Sequence, residues 1–337
     1  MFVKNAWYAA AEASEIGRSL LGRMFLNEPV VMFRRENGVP VALADRCCHR
    51  RVPLSKGKLI GDTLQCGYHG LRYDASGQCF EIPGQPLVPP GTRVRSYPLL
   101  DKHGWVWIWM GDPARADASL VPGFGDNTAP GLASVQGYTH IACHYMLMVD
   151  NLLDLSHLAF VHSSSIGSTG DLNPTLKLET GERFVRFTRA VTDIPPAPIY
   201  KQQGFTRHLD QTKIMMLYAP SSLTIEILSA ERDGGPMRTR SMILNGVTPE
   251  TERSMHYFWG SARDFDVGNA DWSASLKRQT AAAFDEDKDM LEAQQRNIEL
   301  DPAAQTIDVR GDAAGLQAHK VVDRMLAEER GRAAAAE

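Results

Sequence analysis

The first third of the chain alternates short β-prone runs with turn residues. Residues 29–34 and 39–45 are rich in apolar side chains, and Glu36-Asn37-Gly38 lies between them. An Asn-Gly pair between two such runs is typical of a hairpin. Further strands are predicted at residues 63–66, 71–74 and 105–110. The pattern therefore predicts an all-β N-terminal region.

Residues 111–130 separate this region from a part with a different pattern. They contain Pro113, Pro122 and Pro130 with several Gly, Asp and Asn residues, a composition typical of a linker. Beyond them the periodicity predicts strands at residues 183–192, 213–229, 237–247 and 254–262. Helices are predicted at residues 146–160 and 272–299 and from Gly315 onward. We therefore expect an α+β protein with two domains, residues 1–112 and 113–337.

Composition and charge exclude some classes of function. The chain has 337 residues, of which 43% are hydrophobic and 23% charged, as in an ordinary globular protein. A net charge of −4 gives no support for a nucleic-acid partner. No run of about 18 apolar residues predicts a membrane span, and residues 1–7 lack the pattern of a secretory signal. Five cysteines without such a signal predict a cytoplasmic protein with thiols free for metal or redox chemistry.

Two short segments each combine a cysteine with a histidine. Cys47 precedes His49 by two residues, Cys66 precedes His69 by three, and sixteen residues separate His49 from Cys66. Two thiolates and two imidazoles fit either a tetrahedral zinc ion or an iron–sulfur cluster. Zinc-finger histidines usually follow one another in a helix, whereas here each histidine lies beside its own cysteine. The spacing therefore favours a Rieske-type [2Fe–2S] cluster over zinc, with Gly67 leaving room for close backbone approach.

The segment 150–162 contains a second set of metal-binding residue types. Asp154 and His157 are i,i+3 neighbours, which share a face of a regular helix. His157 and His162 are five residues apart, or about 140° around a helix. Both can bind one metal ion only if the helix ends or is distorted between them. Asn151 is a candidate to hydrogen-bond a substrate or a ligand, with a bond inside the helix as the alternative.

Two histidines that bind ferrous iron need one carboxylate to complete the site. The predicted helix 272–299 offers Asp285, Glu286, Asp287, Asp289 and Glu292. Its inward stripe is predicted to contain Phe284, Asp287, Met290 or Leu291, and Gln294. An unpaired carboxylate on such a stripe would be costly. Asp287 is therefore the predicted third ligand, with a salt-bridged core residue as the alternative.

These motifs resemble those of the Rieske-type aromatic oxygenases over almost the whole chain. The segments Cys47-x-His49-Arg50 and Cys66-x-Tyr68-His69-Gly70 are similar to the family's cluster motif. Residues 82–85, 107–109 and 248–252 resemble the branch of vanillate O-demethylases, toluenesulfonate methyl-monooxygenases and dicamba O-demethylase. The resemblance implies a Rieske β-domain followed by a helix-grip catalytic domain, in which long helices pack on an antiparallel sheet. It also implies a homotrimer.

The resemblance implies a role for each matching residue. Cys47 and Cys66 would hold one iron of the cluster, and His49 and His69 the other. His157, His162 and Asp287 would hold a mononuclear Fe(II). Asp154 would bridge His69 of one subunit to His157 of the next. Cys48, Cys79 and Cys143 have no predicted role in either site.

The implied activity is that of a terminal oxygenase component. It would oxidise a methoxy or methyl group of a small anionic aromatic compound with O2 and electrons from NADH or NADPH. A separate flavin and [2Fe–2S] reductase would deliver the electrons, since no dinucleotide-type Gly-rich turn follows a strand here. The alternatives are a ring-hydroxylating dioxygenase and a Rieske electron-transfer protein. Arg238, Arg240 and Arg278 are candidates to bind a carboxylate or sulfonate, with surface charge as the alternative.

Overall fold

The structure, a computed structural model, describes residues 1–162 and 174–336. The chain divides into two compact units, Phe2–Val121 and Pro122–Glu337. The domain boundary predicted after residue 112 stays a prediction. Residues 113–121 belong to the first unit, where Trp7 Nε1 donates to the backbone oxygen of Asp117 over 2.8 Å.

The first unit consists of small antiparallel sheets. One has the order β1 (Trp7–Glu12), β11 (Trp105–Trp109), β10 (Leu99–Lys102). Another has the order β2 (Leu21–Phe25), β3 (Glu28–Arg34), β4 (Pro40–Ala44), β9 (Ser96–Tyr97). A third has the order β5 (Lys58–Ile60), β6 (Thr63–Gln65), β7 (Arg72–Tyr73), β8 (Cys79–Glu81). The all-β region predicted from the sequence is therefore confirmed.

Two buried clusters hold these sheets together. All five residues of β11 are buried, so both faces of this strand are covered and its three tryptophans are core residues. A second cluster contains Phe33, Leu64 and Tyr73, and Cys47 and Cys66 pack in it. The cysteine loops therefore rest on the core of the unit.

The second unit is a large antiparallel sheet with helices. In spatial order its described strands are β12 (Ala133–Ile141), β18 (Ser254–Arg263), β17 (Arg238–Thr251), β16 (Ser222–Glu231), β15 (Leu209–Tyr218), β14 (Phe184–Ile194) and β13 (Thr175–Thr180). The helices are α1 (Tyr145–Leu153), α2 (Leu158–Val161), α3 (Pro198–Gln202), α4 (Ala270–Leu300) and α5 (Ala313–Ala336). The long helix α4 contacts β12, β18 and α1. In the described part of the chain, no helix is both long and apolar enough to cross a membrane.

Two predicted elements are wrong in detail. Residues 213–229 form parts of two strands, β15 and β16, because the chain reverses between Tyr218 and Ser222. The predicted helix 146–160 is three pieces: α1, a 3-10 turn at Leu155–His157, and α2. Asp154 ends α1 with extended backbone angles, φ −107° and ψ 97°.

The long helix α4 buries the stripe that the sequence predicts, with two differences. Phe284, Asp287 and Leu291 are buried. Met290 and Gln294 are exposed. The buried stripe of α4 therefore contains Leu291 instead of Met290, and it ends before the last turns of the helix. The helix begins where Asn269 accepts a hydrogen bond from the backbone of Trp272 over 2.9 Å. Asp287 therefore lies on the buried face, and the periodicity predicted its placement correctly.

Candidate metal centres and substrate cavity

The two cysteine–histidine segments fold into matching six-residue loops. In one, the Cys47 amide donates to the Val52 carbonyl over 2.9 Å. In the other, the Cys66 amide donates to the Leu71 carbonyl over 2.8 Å. Each loop thus begins with its cysteine and closes with the same type of backbone hydrogen bond. The sequence did not reveal this correspondence, because the two segments differ in their Cys-to-His spacing.

Close backbone contacts fix the second loop. A Cβ atom on Gly67 would lie 2.7 Å from the Lys56 carbonyl oxygen. Gly70 has a φ of +74°, a left-handed conformation that glycine adopts at no steric cost. The close backbone approach expected at Gly67 is therefore a contact with the Lys56 backbone. This contact fixes the loop that contains Cys66.

The four candidate ligands of the first centre divide into a buried pair and an exposed pair. Cys47 and Cys66 are 2% and 3% exposed. His49 and His69 are exposed, and their ring centroids lie 4.6 Å apart. Buried sulfurs beneath two exposed imidazoles fit a cluster with one iron on the thiolates and the other on the histidines.

Tyr73 adds a polar contact to the buried side of this centre. Its hydroxyl lies 3.2 Å from Cys47 Sγ and 3.1 Å from Cys48 Sγ. Burial raises the pKa of Tyr73 well above its ordinary value, so the hydroxyl keeps its proton. It is therefore available to donate to a thiolate at Cys47.

Burial also acts on the thiol of Cys66. It raises the pKa of this thiol, while hydrogen bonds from the backbone amides of Tyr68 and His69 act in the opposite direction. Backbone amides aimed at a sulfur stabilise its anionic form. The loop thus supplies main-chain donors to the sulfur of a candidate cluster ligand.

The second centre brings together the three residues proposed as ligands of a mononuclear iron. One ligand atom from each of His157, His162 and Asp287 lies within 4.8 Å of the other two. Asp287 Oδ1 is 3.2 Å from His162 Nε2 and 3.6 Å from His157 Nε2. His162 and Asp287 are 1% and 3% exposed. Two imidazoles and one carboxylate are the donor set typical of non-haem Fe(II) oxygenases.

The break after α1 solves the spacing problem noted in the sequence. The Asp154 carboxylate accepts hydrogen bonds from the backbone and hydroxyl of Ser156, at 2.9 and 2.8 Å. This cap starts a new turn, and α2 then spans the residues between His157 and His162. Because the two histidines flank a single short helical turn, their rings lie 5.3 Å apart between centroids.

Within one chain, Asp154 contacts His157 through a different atom from the one expected. The Asp154 carbonyl oxygen, not its carboxylate, lies 2.6 Å from His157 Nδ1. The Nδ1–H group therefore donates to this carbonyl, and Nε2 faces Asp287. Among the described hydrogen bonds, the Asp154 carboxylate contacts only Ser156.

Two further side chains support the remaining ligands. Glu286 Oε2 lies 2.6 Å from His162 Nδ1, which turns His162 Nε2 toward Asp287. Asn151 Nδ2 donates to Asp287 Oδ1 over 3.1 Å. The contact from Asn151 is thus to a candidate ligand. Glu286 was among the helix candidates, but its contact with His162 was missed because no local pattern pairs the two residues.

The two histidines have opposite pKa shifts. Burial lowers the pKa of His157 despite the nearby charge of Asp287. For His162, burial also favours the neutral form, but hydrogen bonds to Asp287 and Glu286 outweigh it and raise the pKa. A metal ion at this position would replace the proton between His162 and Asp287.

A cavity of about 1110 Å³, including its opening, lies beside these ligands. The sheet, α4 and the segment after α1 form its walls, which are mainly aliphatic and aromatic. The apolar lining includes Leu155, Leu158, Ile225, Ile227, Ile243, Trp272, Leu276 and Phe284. A largely apolar cavity with a few polar groups is typical of a small-molecule site.

The arginines suggested as anion ligands do not line this cavity. Arg240 pairs with Asp126 and Glu226, at 2.7 and 2.6 Å. Arg238 and Arg278 are exposed, in agreement with the alternative interpretation as surface charge. The cavity wall instead contains Lys213, which no motif in the sequence marked as a site residue.

Two models of known protein families match this chain, one in each of its two parts. Residues 6–98 match the model of the Rieske [2Fe-2S] domain. Residues 141–328 match the model of the vanillate O-demethylase oxygenase C-terminal domain.

Relatives match over nearly the full length of the chain. The toluene-4-sulfonate monooxygenase system iron-sulfur subunit of Comamonas testosteroni is 36% identical, with 98% of this chain and 99% of that protein covered. A vanillate O-demethylase oxygenase subunit of Pseudomonas sp. strain HR199 is 35% identical, with 100% and 98% covered. The crystal structure of dicamba monooxygenase bound to 3,6-dichlorosalicylic acid has a TM-score of 0.92 at 32% identity, covering 98% and 99%.

A Rieske domain followed by a helix-and-sheet domain with a two-histidine, one-carboxylate set defines a Rieske non-haem iron oxygenase. The chain belongs to the vanillate O-demethylase oxygenase family. The predicted family, fold class and enzyme class are thereby confirmed. The predicted cofactors, a [2Fe–2S] cluster and a mononuclear non-haem iron, are confirmed as well.

Proposed function

We propose that the protein is the terminal oxygenase of a multicomponent monooxygenase that oxidises a methoxy or methyl group of a small anionic aromatic compound. The observation that carries this proposal is the triad of His157, His162 and Asp287 at the wall of an apolar cavity. The relatives are named for vanillate and toluene-4-sulfonate, and the related structure holds a chlorinated salicylic acid. All three are aromatic compounds with an acidic group.

The residues that would hold the two metal groups have suitable donors. Cys47, Cys66, His49 and His69 would hold the cluster, which their division into buried sulfurs and exposed imidazoles supports. His157, His162 and Asp287 would hold the mononuclear iron. When bound, the cluster supplies single electrons, and the iron activates O2 beside the substrate.

The protein's own residues arrange and shield this chemistry. Glu286 and the Asp154 carbonyl fix the two imidazoles, and Asn151 fixes the carboxylate of Asp287. The aliphatic and aromatic walls exclude water and orient an aromatic ring. For a methoxy substrate the balance is ArOCH3 + O2 + NADH + H⁺ → ArOH + HCHO + H2O + NAD⁺. A methyl substrate yields ArCH2OH and water in place of the phenol, formaldehyde and water.

The proposal includes partners. A separate flavin and [2Fe–2S] reductase would deliver electrons from NADH or NADPH. We further propose a cytoplasmic homotrimer in which Asp154 of one subunit bridges to His69 of a neighbour. The position of Asp154 in a cavity with Arg189 and Arg310 supports this role, because the residue is partly accessible there.

The test is reconstitution with a surrogate reductase and a panel of methoxybenzoates and toluenesulfonates. NADH use, O2 uptake and formaldehyde are measured together, and an EPR spectrum of the reduced protein checks the cluster. We expect formaldehyde in proportion to NADH, or a benzylic alcohol without formaldehyde. A dihydrodiol product would instead indicate ring dioxygenation. A reducible cluster with no O2 uptake on any compound would favour an electron-transfer protein.

A further inference from the structure

The cavity beside the metal triad contains a buried cation at a defined place in the sheet. Among the described residues that line the cavity, Lys213 is the one lysine or arginine. It lies on β15 and is 7% exposed. We propose that Lys213 binds the carboxylate or sulfonate of the substrate and makes the enzyme selective for anionic arenes. The inference rests on the proposed function and names the substrate class of that site.

The register of the sheet places Lys213 in the cavity floor. Lys213 pairs with Ile227 on β16, and Ile227 pairs with Ser241 on β17. Paired residues point to the same face of a sheet, and all three line the cavity. The next paired set on one side contains Ser229 and Thr239. Lys213 therefore belongs to the floor of the cavity.

The next set on the other side completes the floor. Ile225 pairs with Ile243, which pairs with Ser261, and all three line the cavity. Lys213 thus lies in the middle of three successive sets of lining residues. Across the strands, Lys213 is the lining residue that β15 contributes, so it lies at the β15 end of this floor.

Hydroxyl groups near Lys213 suit the oxygens of an acidic group. Ser229 accepts a hydrogen bond from Gln211 over 3.0 Å, and Thr239 donates to Gln203 over 3.2 Å. Each hydroxyl can both donate and accept, so Ser229 can still donate to an anion. A carboxylate or sulfonate has several acceptor oxygens that Lys213 and such hydroxyls can share.

The neighbouring basic residue, Arg189, does not line the same cavity. Arg189 pairs with Lys213 across β14 and β15. Its side chain lines a different cavity, together with Asp154 and Arg310. The two basic residues thus lie on the same face of the sheet but line different cavities, and Lys213 is the one in the cavity beside the metal triad.

The test compares anionic probes with neutral analogues of the same shape. The probes are 4-methoxybenzoate and toluene-4-sulfonate, each beside its neutral amide. Binding to the metal-loaded protein is measured by calorimetry for wild type, Lys213→Met and Lys213→Arg. Lys201→Met is the matched control, because Lys201 is an exposed residue of α3, whose neighbours Ile199 and Tyr200 line the cavity.

We expect Lys213→Met to weaken binding of the anions by about 30-fold or more and of the amides by less than about threefold. Lys213→Arg restores most of the affinity for the anions, and Lys201→Met changes neither class. In turnover, Lys213→Met raises KM for the anions more than it lowers kcat. A purely structural role would weaken both classes equally.

Several results would overturn the assignment. In one, Lys213→Met loses the same affinity for the anions as for the amides. In another, Lys213→Met binds the anions as tightly as wild type does. In the third, wild type binds the amides as tightly as the anions. Failure of the proposed function looks different. In that case wild type binds the anions through Lys213 but forms neither formaldehyde nor alcohol with an active reductase.

Discussion

Three nitrogen atoms converge on one oxygen of Asp287. His162 Nε2, His157 Nε2 and Asn151 Nδ2 lie 3.2, 3.6 and 3.1 Å from Asp287 Oδ1. A carboxylate this deeply buried is costly unless it is paired or binds a metal. At the scale of the residue, Asp287 is thus a carboxylate positioned to bind a cation. The two histidines beside it are oriented through their Nδ1 atoms, by the Asp154 carbonyl and by Glu286.

Asp287→Ala should remove iron from the second site and leave the cluster intact. The variant loses one of three ligands, so about two irons per chain remain in place of about three. Iron analysis and the EPR spectrum of the reduced cluster measure the two sites separately. Asp289→Ala is the control, because Asp289 is exposed on the same helix. Full iron content and turnover in Asp287→Ala would remove Asp287 from the site.

Tyr73→Phe should lower the reduction potential of the cluster. The Tyr73 hydroxyl, 3.2 Å from Cys47 Sγ, stabilises the more negative reduced state when it donates to the thiolate. Loss of one such bond corresponds to about 60 mV for a one-electron couple. A redox titration followed by EPR gives the value, with the exposed Tyr68→Phe as control. Equal potentials in wild type and Tyr73→Phe would exclude this hydrogen bond.

At the scale of the element, helix ends decide where the site residues point. α1 stops at Asp154, so His157 and His162 flank α2 and are not spread around one long helix. α5 packs against α1, and His319 of α5 lies 3.0 Å from the Asp150 carboxylate. This pair ties α5 to the helix that precedes the candidate iron ligands.

The His319–Asp150 pair should make stability depend on pH. The hydrogen bond to Asp150 raises the pKa of His319 above its ordinary value of 6.5. A raised folded-state pKa gives stability that is complete below about 6.5 and is lost as the pH rises through the folded value. Both side chains are partly exposed, so the effect is small.

We expect His319→Gln to lower the Tm by about 1–3 °C at pH 5.5 and by almost nothing at pH 9. Thermal unfolding followed by circular dichroism measures both values. Lys320→Gln, at the exposed neighbouring position, should give the same small difference at both pH values. A Tm difference for His319→Gln that stays constant from pH 5.5 to 9 would contradict the linkage.

At the scale of the whole molecule, the candidate ligands of the cluster and those of the iron belong to different compact units of the chain. The proposed trimer would join them between subunits through Asp154. Within one chain this carboxylate caps the 3-10 turn Leu155–His157 by accepting from the Ser156 amide. An Asp→Asn change keeps a capping acceptor and removes the charge, so it separates the two roles.

Asp154→Asn should keep both metal centres and the trimer but lose most of its turnover. We expect about a 10- to 100-fold decrease in the rate of substrate oxidation. Light scattering should give about 112 kDa, three times 37.2 kDa. Asp117→Asn is the control, since Asp117 caps a 3-10 turn in the same way in the first unit. Wild-type turnover in Asp154→Asn would rule out the bridge.

The sequence alone determined the features that depend on short-range chemistry. Cys47 with His49 and Cys66 with His69 are close neighbours along the chain, so their spacing was sufficient to favour a cluster. The burial of Asp287 followed from the periodicity of one helix. Such patterns are local, because a helix or a tight loop is defined within a few residues.

Only the tertiary structure decided which distant residues meet. The end of α1 at Asp154, the contact between Glu286 and His162, and the place of Lys213 in the cavity depend on packing between separate elements. Periodicity marks a residue as inward but does not name its partner. Cross-strand register and the seating of α4 on the sheet settle the partner, and no window of the sequence contains both sides of these contacts.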